Sequence, residues 1–176
     1  MKIIRWLAGI VGVLVVFALA VGWMLPSGFE VKRSMEIAAL PAKVYPLVAD
    51  PRGWAKWSAW NKRDPSMQVT YGGAASGQGA TWDWVSKTEG TGHMEFTRAE
   101  PDKRIDYALA FPDYGMRSSG ALVLEPVGSG TRVTWNNVGD VGGNPFKHIF
   151  AAFMDKLVGP DFEAGLRGLK AVAEAP

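Results

Sequence analysis

The side chains whose type and spacing could do chemistry here are mostly rings. Trp82, Trp84, Phe96, Tyr107, Phe111 and Trp135 sit in short segments of period two, and parity places them on one sheet face. Phe150, Phe153 and Met154 fall on a helical stripe further on. Rings of this size pack around gaps less readily than aliphatic side chains, and Tyr and Trp carry a polar handle. As a set they predict a lined pocket for an apolar ligand. Taken singly, each ring fits an ordinary core better. Arg33, Tyr107 and Asn137 are the polar groups on inward faces. They could orient a ligand's polar end or satisfy one another. Trp54, Trp57 and Trp60 recur every third residue. They read as a gate at the pocket mouth or as rings dipping towards lipid.

Several other chemistries find no footing. The chain has no cysteine, so it offers no thiol nucleophile, disulfide or thiolate metal site. His93 and His148 lack the paired spacing of a zinc site, and both are expected at the surface. No Gly-x-Ser-x-Gly elbow occurs. Asp83, Glu89, Glu95, Asp106 and Glu125 fall on outward parity or in turns, without the burial that would raise a carboxyl pKa for general-base work. Gly77-Gln78-Gly79 is followed by a strand rather than a helix, so it is a hairpin turn and not a phosphate loop. No catalytic residue, metal site or cofactor is therefore expected.

The net charge is +2, but Lys2 and Arg5 account for it: without them 17 basic residues face 17 acidic ones. No basic block exists to serve as an electrostatic footprint for nucleic acid. The outward sheet residues are polar or small, which predicts a monomer.

The elements that must position the rings can be read in order. Residues 29–60 hold a strand, with Phe29, Val31, Met35 and Ile37 on one face and Arg33 as its one charge. Two short helices follow, started by Pro41 and by Pro51 after Asp50. Pro46 should kink or shorten the first. Six further strands with tight turns and no intervening helices predict an antiparallel meander. The end is helical, started by Asn144-Pro145, with Phe146, Ile149, Phe150, Phe153 and Leu157 on one stripe. Gly159-Pro160 should kink or break it, and Phe162, Leu166, Leu169 and Val172 resume the stripe.

The first 25 residues stand apart. Trp6 to Leu25 carries no charge and would make a helix of about 30 Å, the thickness of a bilayer's hydrocarbon core. Trp6 and Trp23 sit near its ends, where rings favour the interface. The expected organisation is a transmembrane anchor over 1–25, a linker over 26–28 and one domain over 29–176. Lys2 and Arg5 predict a cytoplasmic N-terminus, with the domain on the periplasmic or other extracytoplasmic side of the cytoplasmic membrane. The rival is a cleaved signal peptide with its site near Ala18-Leu19-Ala20, although the apolar run continues past it.

Beyond periodicity, short motifs in fixed order carry a resemblance. They are Val48-Ala49-Asp50 with Trp54, Trp57-Ser58-Ala59-Trp60 with Asp64-Pro65, and Gly77-Gln78-Gly79 leading to Trp82-Asp83-Trp84. Glu100-Pro101 before Arg104-Ile105, the run Gly130 to Trp135, and the run Phe162 to Lys170 follow. In this order they resemble the polyketide cyclase/dehydrase branch of the SRPBCC (START-like) superfamily, over about Phe29 to Ala173, in a membrane-anchored bacterial form. The resemblance implies an α+β helix-grip fold: a curved antiparallel sheet of about seven strands, two short helices and a long C-terminal helix. It implies a hydrophobic cavity between sheet and helix, for an apolar small molecule or lipid. It transfers no catalytic residues. An enzyme of cyclase, dehydratase or hydrolase type in the same pocket, and a tethered interaction module with a solid core, stay open beside it.

Overall fold

A computed structural model describes residues 2–176. The first helix, α1 (Lys2–Met24), has no acidic residue in its first turn and no basic residue in its last, and its apolar side chains stay exposed along most of its length. It is long and apolar enough to cross a membrane, a property that a signal sequence shares.

The rest is an α+β helix-grip arrangement. Strands β1 (Gly28–Ile37), β2 (Gln68–Gly73), β3 (Ala80–Ser86), β4 (Gly90–Glu100), β5 (Arg104–Phe111), β6 (Met116–Val127) and β7 (Gly130–Asp140) form one sheet in the order β1-β7-β6-β5-β4-β3-β2. All neighbours are antiparallel. β2 to β7 make the expected meander, and β1 returns to pair with β7, Gly28 opposite Asp140 and Ile37 opposite Thr131. Period two survives along the strands: Ala80, Trp82 and Trp84 are buried, and Asp83 between them is exposed.

Between β1 and β2 lie α2 (Pro41–Ala49), a 3-10 turn at Pro51–Gly53, α3 (Trp54–Trp57) and α4 (Ala59–Arg63). Pro41 opens α2, and the Asp50 carboxylate accepts from Arg52 N–H at the 3-10 turn. Pro46 leaves α2 as a nine-residue helix. Trp54 and Trp57 are buried, so they neither gate a mouth nor dip towards lipid. Their indole N–H groups donate to the carbonyls of Val48 and Leu47, which turns both rings into the core under α2.

The C-terminal helices are α5 (Pro145–Ala152) and α6 (Met154–Ala173). The break falls at Phe153 (φ −102°, ψ 0°), not at Gly159-Pro160. Pro160 frees the Lys156 carbonyl, but both residues are exposed, so water can satisfy it and α6 continues. Gly159 is needed for another reason: a Cβ there would run into the Arg33 guanidinium. Phe162, Leu166 and Leu169 of α6 are buried against the sheet, and Gly165 lets the Trp135 ring lie close to the helix axis.

Because the break precedes α6, Phe146, Phe150, Phe153 and Leu157 of the expected stripe are not packed into the core. All four are about half exposed, and α5 buries His148 and Ala151 instead. His148 is thus not a surface residue. Its Nδ1 lies 2.9 Å from the Gly22 carbonyl oxygen and its Nε2 2.8 Å from that of Gly142. The ring ties the end of α1 to the loop after β7, and Trp23 meets it edge-on.

Asp64 ends α4 and is buried. It accepts from Ser66 N–H, Ser66 Oγ and Ser86 Oγ, and these hydrogen bonds hold its pKa below the ordinary carboxylate value. A depressed native pKa adds stability above the unfolded-state value of about 4, and that stability is lost as pH falls through the native value. In acid titrations followed by circular dichroism, Asp64→Asn should therefore be less stable than the parent at pH 7, with the gap closing below about pH 4. A gap constant with pH would refute the assignment.

Candidate ligand-binding site

A cavity of about 710 Å³ lies between the sheet and α5–α6, within the usual range for small-molecule sites. The groove between sheet and helices is filled at one end and open at the other. At the filled end Trp135 stacks on Phe162 (4.1 Å, 17°) and meets Trp54, Trp57 and Trp60 edge-on. At the open end the lining turns to Met67, Met94, Met116 and Met154, four of the chain's seven methionines, with Trp84, Phe111, Phe146 and Phe150. Unbranched thioether chains adapt to irregular shapes and do not close a space by themselves. Trp84 lies across its β4 partner Gly92, where any side chain would collide with the indole.

Two lining residues carry a buried side-chain oxygen without a hydrogen-bond partner among the described residues. Asn137 on β7 is 7% exposed, and its Oδ1 has no hydrogen-bond partner; neither has Ser118 Oγ on β6. They sit near each other, since Gly120 pairs with Asn137 and Ser118 with Gly139. A buried acceptor without a partner costs roughly 1–3 kcal/mol. Tyr107 is different. Trp135 Nε1 donates to its hydroxyl at 3.0 Å, and the hydroxyl donates to the Asn136 carbonyl at 3.0 Å. Burial pushes this phenol's pKa well up. Its polar end is committed to the wall.

The rim carries charges. Arg63 of α4 reaches both Glu89, in the β3–β4 turn, and Asp161 of α6, which ties three lining elements together. Lys147 Nζ of α5 donates to the Tyr114 carbonyl at 3.3 Å.

Of the residues expected at the site, Trp60, Trp82, Trp84, Tyr107, Phe111, Trp135, Asn137, Phe150 and Met154 line this cavity. Four do not. Trp57 and Phe96 are fully buried in the solid part of the core, and Phe153 turns outward on the α5–α6 break. Arg33 is taken by α6: Nη1 lies 2.6 Å from Asp155 Oδ1 and Nε 2.8 Å from Glu163 Oε1. Its hydrogen bond lowers the Asp155 pKa. The expectation that Arg33 greets a ligand fails because two acids on the facing helix reach it first. Sequence reasoning misses Ser118, whose parity with Leu122 and Leu124 is a usable signal. It also misses the Arg63 bridge, for which no local pattern exists.

With this geometry, comparison with known proteins is decisive for the family. Residues 28–174 match the family model described as polyketide cyclase/dehydrase and lipid transport. The chain belongs to that family. No curated protein matches the chain. Among solved structures it is similar to protein CV1439 from Chromobacterium violaceum (17% identity, 84% of this chain and 99% of that one, TM-score 0.62). It is also similar to TTHA0849 from Thermus thermophilus (21% identity, 82% and 96%, TM-score 0.61). A third neighbour is the di-domain ARO/CYC StfQ from the steffimycin biosynthetic pathway (14% identity, 84% and 51%, TM-score 0.63). At these identities the family's fold is what is shared.

Proposed function

We propose that this family member is a membrane-tethered binder of an apolar small molecule with one polar end, a lipid or a molecule of similar build. The observation that carries this reading is the cavity of about 710 Å³, walled by rings and methionines, with Asn137 and Ser118 among its lining residues and their buried Oδ1 and Oγ unpartnered among the described residues. A ligand whose apolar body fills the space and whose hydroxyl or amide meets Asn137 and Ser118 would remove the cost of burying them. In this reading residues 1–25 anchor, 26–28 link and 29–176 bind. Lys2 and Arg5 hold the N-terminus in the cytoplasm, and the domain faces the periplasm in a Gram-negative cell.

Binding stands ahead of turnover in this cavity. The Tyr107 hydroxyl is committed to Asn136 and Trp135, and Glu89 and Asp161 are held by Arg63. An amide and a lone hydroxyl position a ligand better than they move protons.

The test uses a matched pair of probes: a long-chain alcohol and the alkane of equal length. Binding to the full chain would be followed by native mass spectrometry. Asn137→Leu, with the same branched heavy-atom skeleton, should weaken the alcohol about tenfold, one hydrogen bond's worth, and leave the alkane unchanged or tighter. Failure of the parent protein to bind either probe saturably would sink the proposal.

A further inference from the structure

The face of α5 left uncovered by the fold has a fixed position relative to α1, and this fixes what can cover it. Two contacts hold the helices together. Gly22 packs so closely on Pro145 that any side chain would collide with its carbonyl, and His148 Nδ1 lies 2.9 Å from the Gly22 carbonyl oxygen. Gly22 is buried, while Trp23 and Met24 beside it are exposed. α1 ends at Met24, so α5 meets it two residues, about 3 Å, before the helix is over, at 1.5 Å per residue.

On its other side α5 presents Phe146 and Phe150, with Phe153 and Leu157 continuing the patch across the break, all about half exposed. Lys147 and Lys156 flank these rings. Exposed rings with flanking lysines are the composition of helices that lie in a bilayer interface, buried about 5–10 Å into the headgroup boundary. Phe146, Phe150 and Tyr114 also line the cavity while remaining exposed. One end of the cavity therefore opens through this same patch.

We propose that α5 lies in the headgroup boundary of the bilayer that α1 crosses, with Phe146, Phe150 and Phe153 inserted, so that the cavity opens onto lipid rather than water. The occupant is a lipid surface because α5 is held against the last turn of α1, within the apolar run, and carries its exposed rings at that level. This rests on the reading of α1 as a span. A ligand could then pass between leaflet and cavity without crossing water, and Lys147, on the Tyr114 carbonyl at 3.3 Å, sits where headgroup phosphates would compete for it.

The chain has no cysteine, so single spin labels can be placed without background. Nitroxides at Phe150→Cys, Phe153→Cys, Leu14→Cys and Ser129→Cys would be examined in the full chain in phosphatidylcholine–phosphatidylglycerol vesicles. Accessibility to oxygen and to a water-soluble nickel chelate gives their depth. Position 129 lies in the β6–β7 turn, at the far end of the strands from Gly28. Labels at 14, 150 and 153 should favour oxygen, and the label at 129 should favour nickel. Position 153 decides, because Phe153 does not line the cavity, and oxygen preference there cannot come from cavity burial. A water-exposed label at 153 with a lipid-embedded label at 14 would overturn the docking and leave the anchor standing. A water-exposed label at 14 would overturn both.

Discussion

Trp135→Ala is expected to cost about 3–5 kcal/mol of folding stability, the upper range for a buried aromatic. The ring is 1% exposed and is the hub of the solid half of the core. It stacks on Phe162, meets Trp54 and Trp57 at 5.5 Å and Trp60 at 5.7 Å, and its N–H fixes the Tyr107 hydroxyl. Each favourable ring pair adds about 0.5–1.5 kcal/mol beyond area burial. The neighbours cannot collapse into the gap, because Gly165 already brings α6 to the ring's edge. For a domain of this size the loss should lower Tm by roughly 10 °C or more. Phe153→Ala, on the exposed break, should change stability by no more than about 0.5 kcal/mol. Comparable losses in the two variants, read by denaturant titration, would contradict this division of the core.

Ser118→Trp is expected to do the reverse: keep the fold and abolish binding. Residue 118 belongs to the groove's lining, on the β6 face that carries Leu122 and Leu124 and beside the Asn137 acceptor. An indole reaching from there into the cavity would occupy the space a ligand needs, and its burial is favourable at about 25 cal/mol per Å². Ligand occupancy should fall at least tenfold, more than about 1.4 kcal/mol, with Tm equal to or above that of the parent. Lost stability together with lost binding would mean that this region is solid core and that the interaction-module reading gains ground.

How far the sequence foretells this follows from the range of each signal. Strand parity is local, so the inward row Trp82, Trp84, Tyr107 and Trp135 and the meander are legible. Motif order carries the family and with it the helix-grip fold. What escapes depends on contacts distant in sequence. The stripe Phe146–Phe150–Phe153 has the right helical spacing, but whether it faces sheet or solvent depends on one backbone change at Phe153 and on α1 occupying the other side. His148 looks like a surface residue in sequence because its partners, Gly22 and Gly142, are backbone carbonyls that leave no trace in side-chain patterns. Arg33 has the correct inward parity, yet the acids that claim it lie more than a hundred residues on. Trp57 and Phe96 meet every criterion for a lining residue; the solid core and the cavity share one face, and only the fill by α3 and α6 separates them.

If the groove between sheet and helices binds as proposed, it holds an apolar molecule in the living cell. The most direct measurement is native mass spectrometry of the full chain released gently from the membranes of the cells that produce it, beside Ser118→Trp prepared in the same way. The parent should carry one apolar molecule per chain, identifiable by fragmentation after release, and the variant none. A parent chain that flies at its bare mass from every preparation, or one whose adducts persist unchanged in Ser118→Trp, would contradict it.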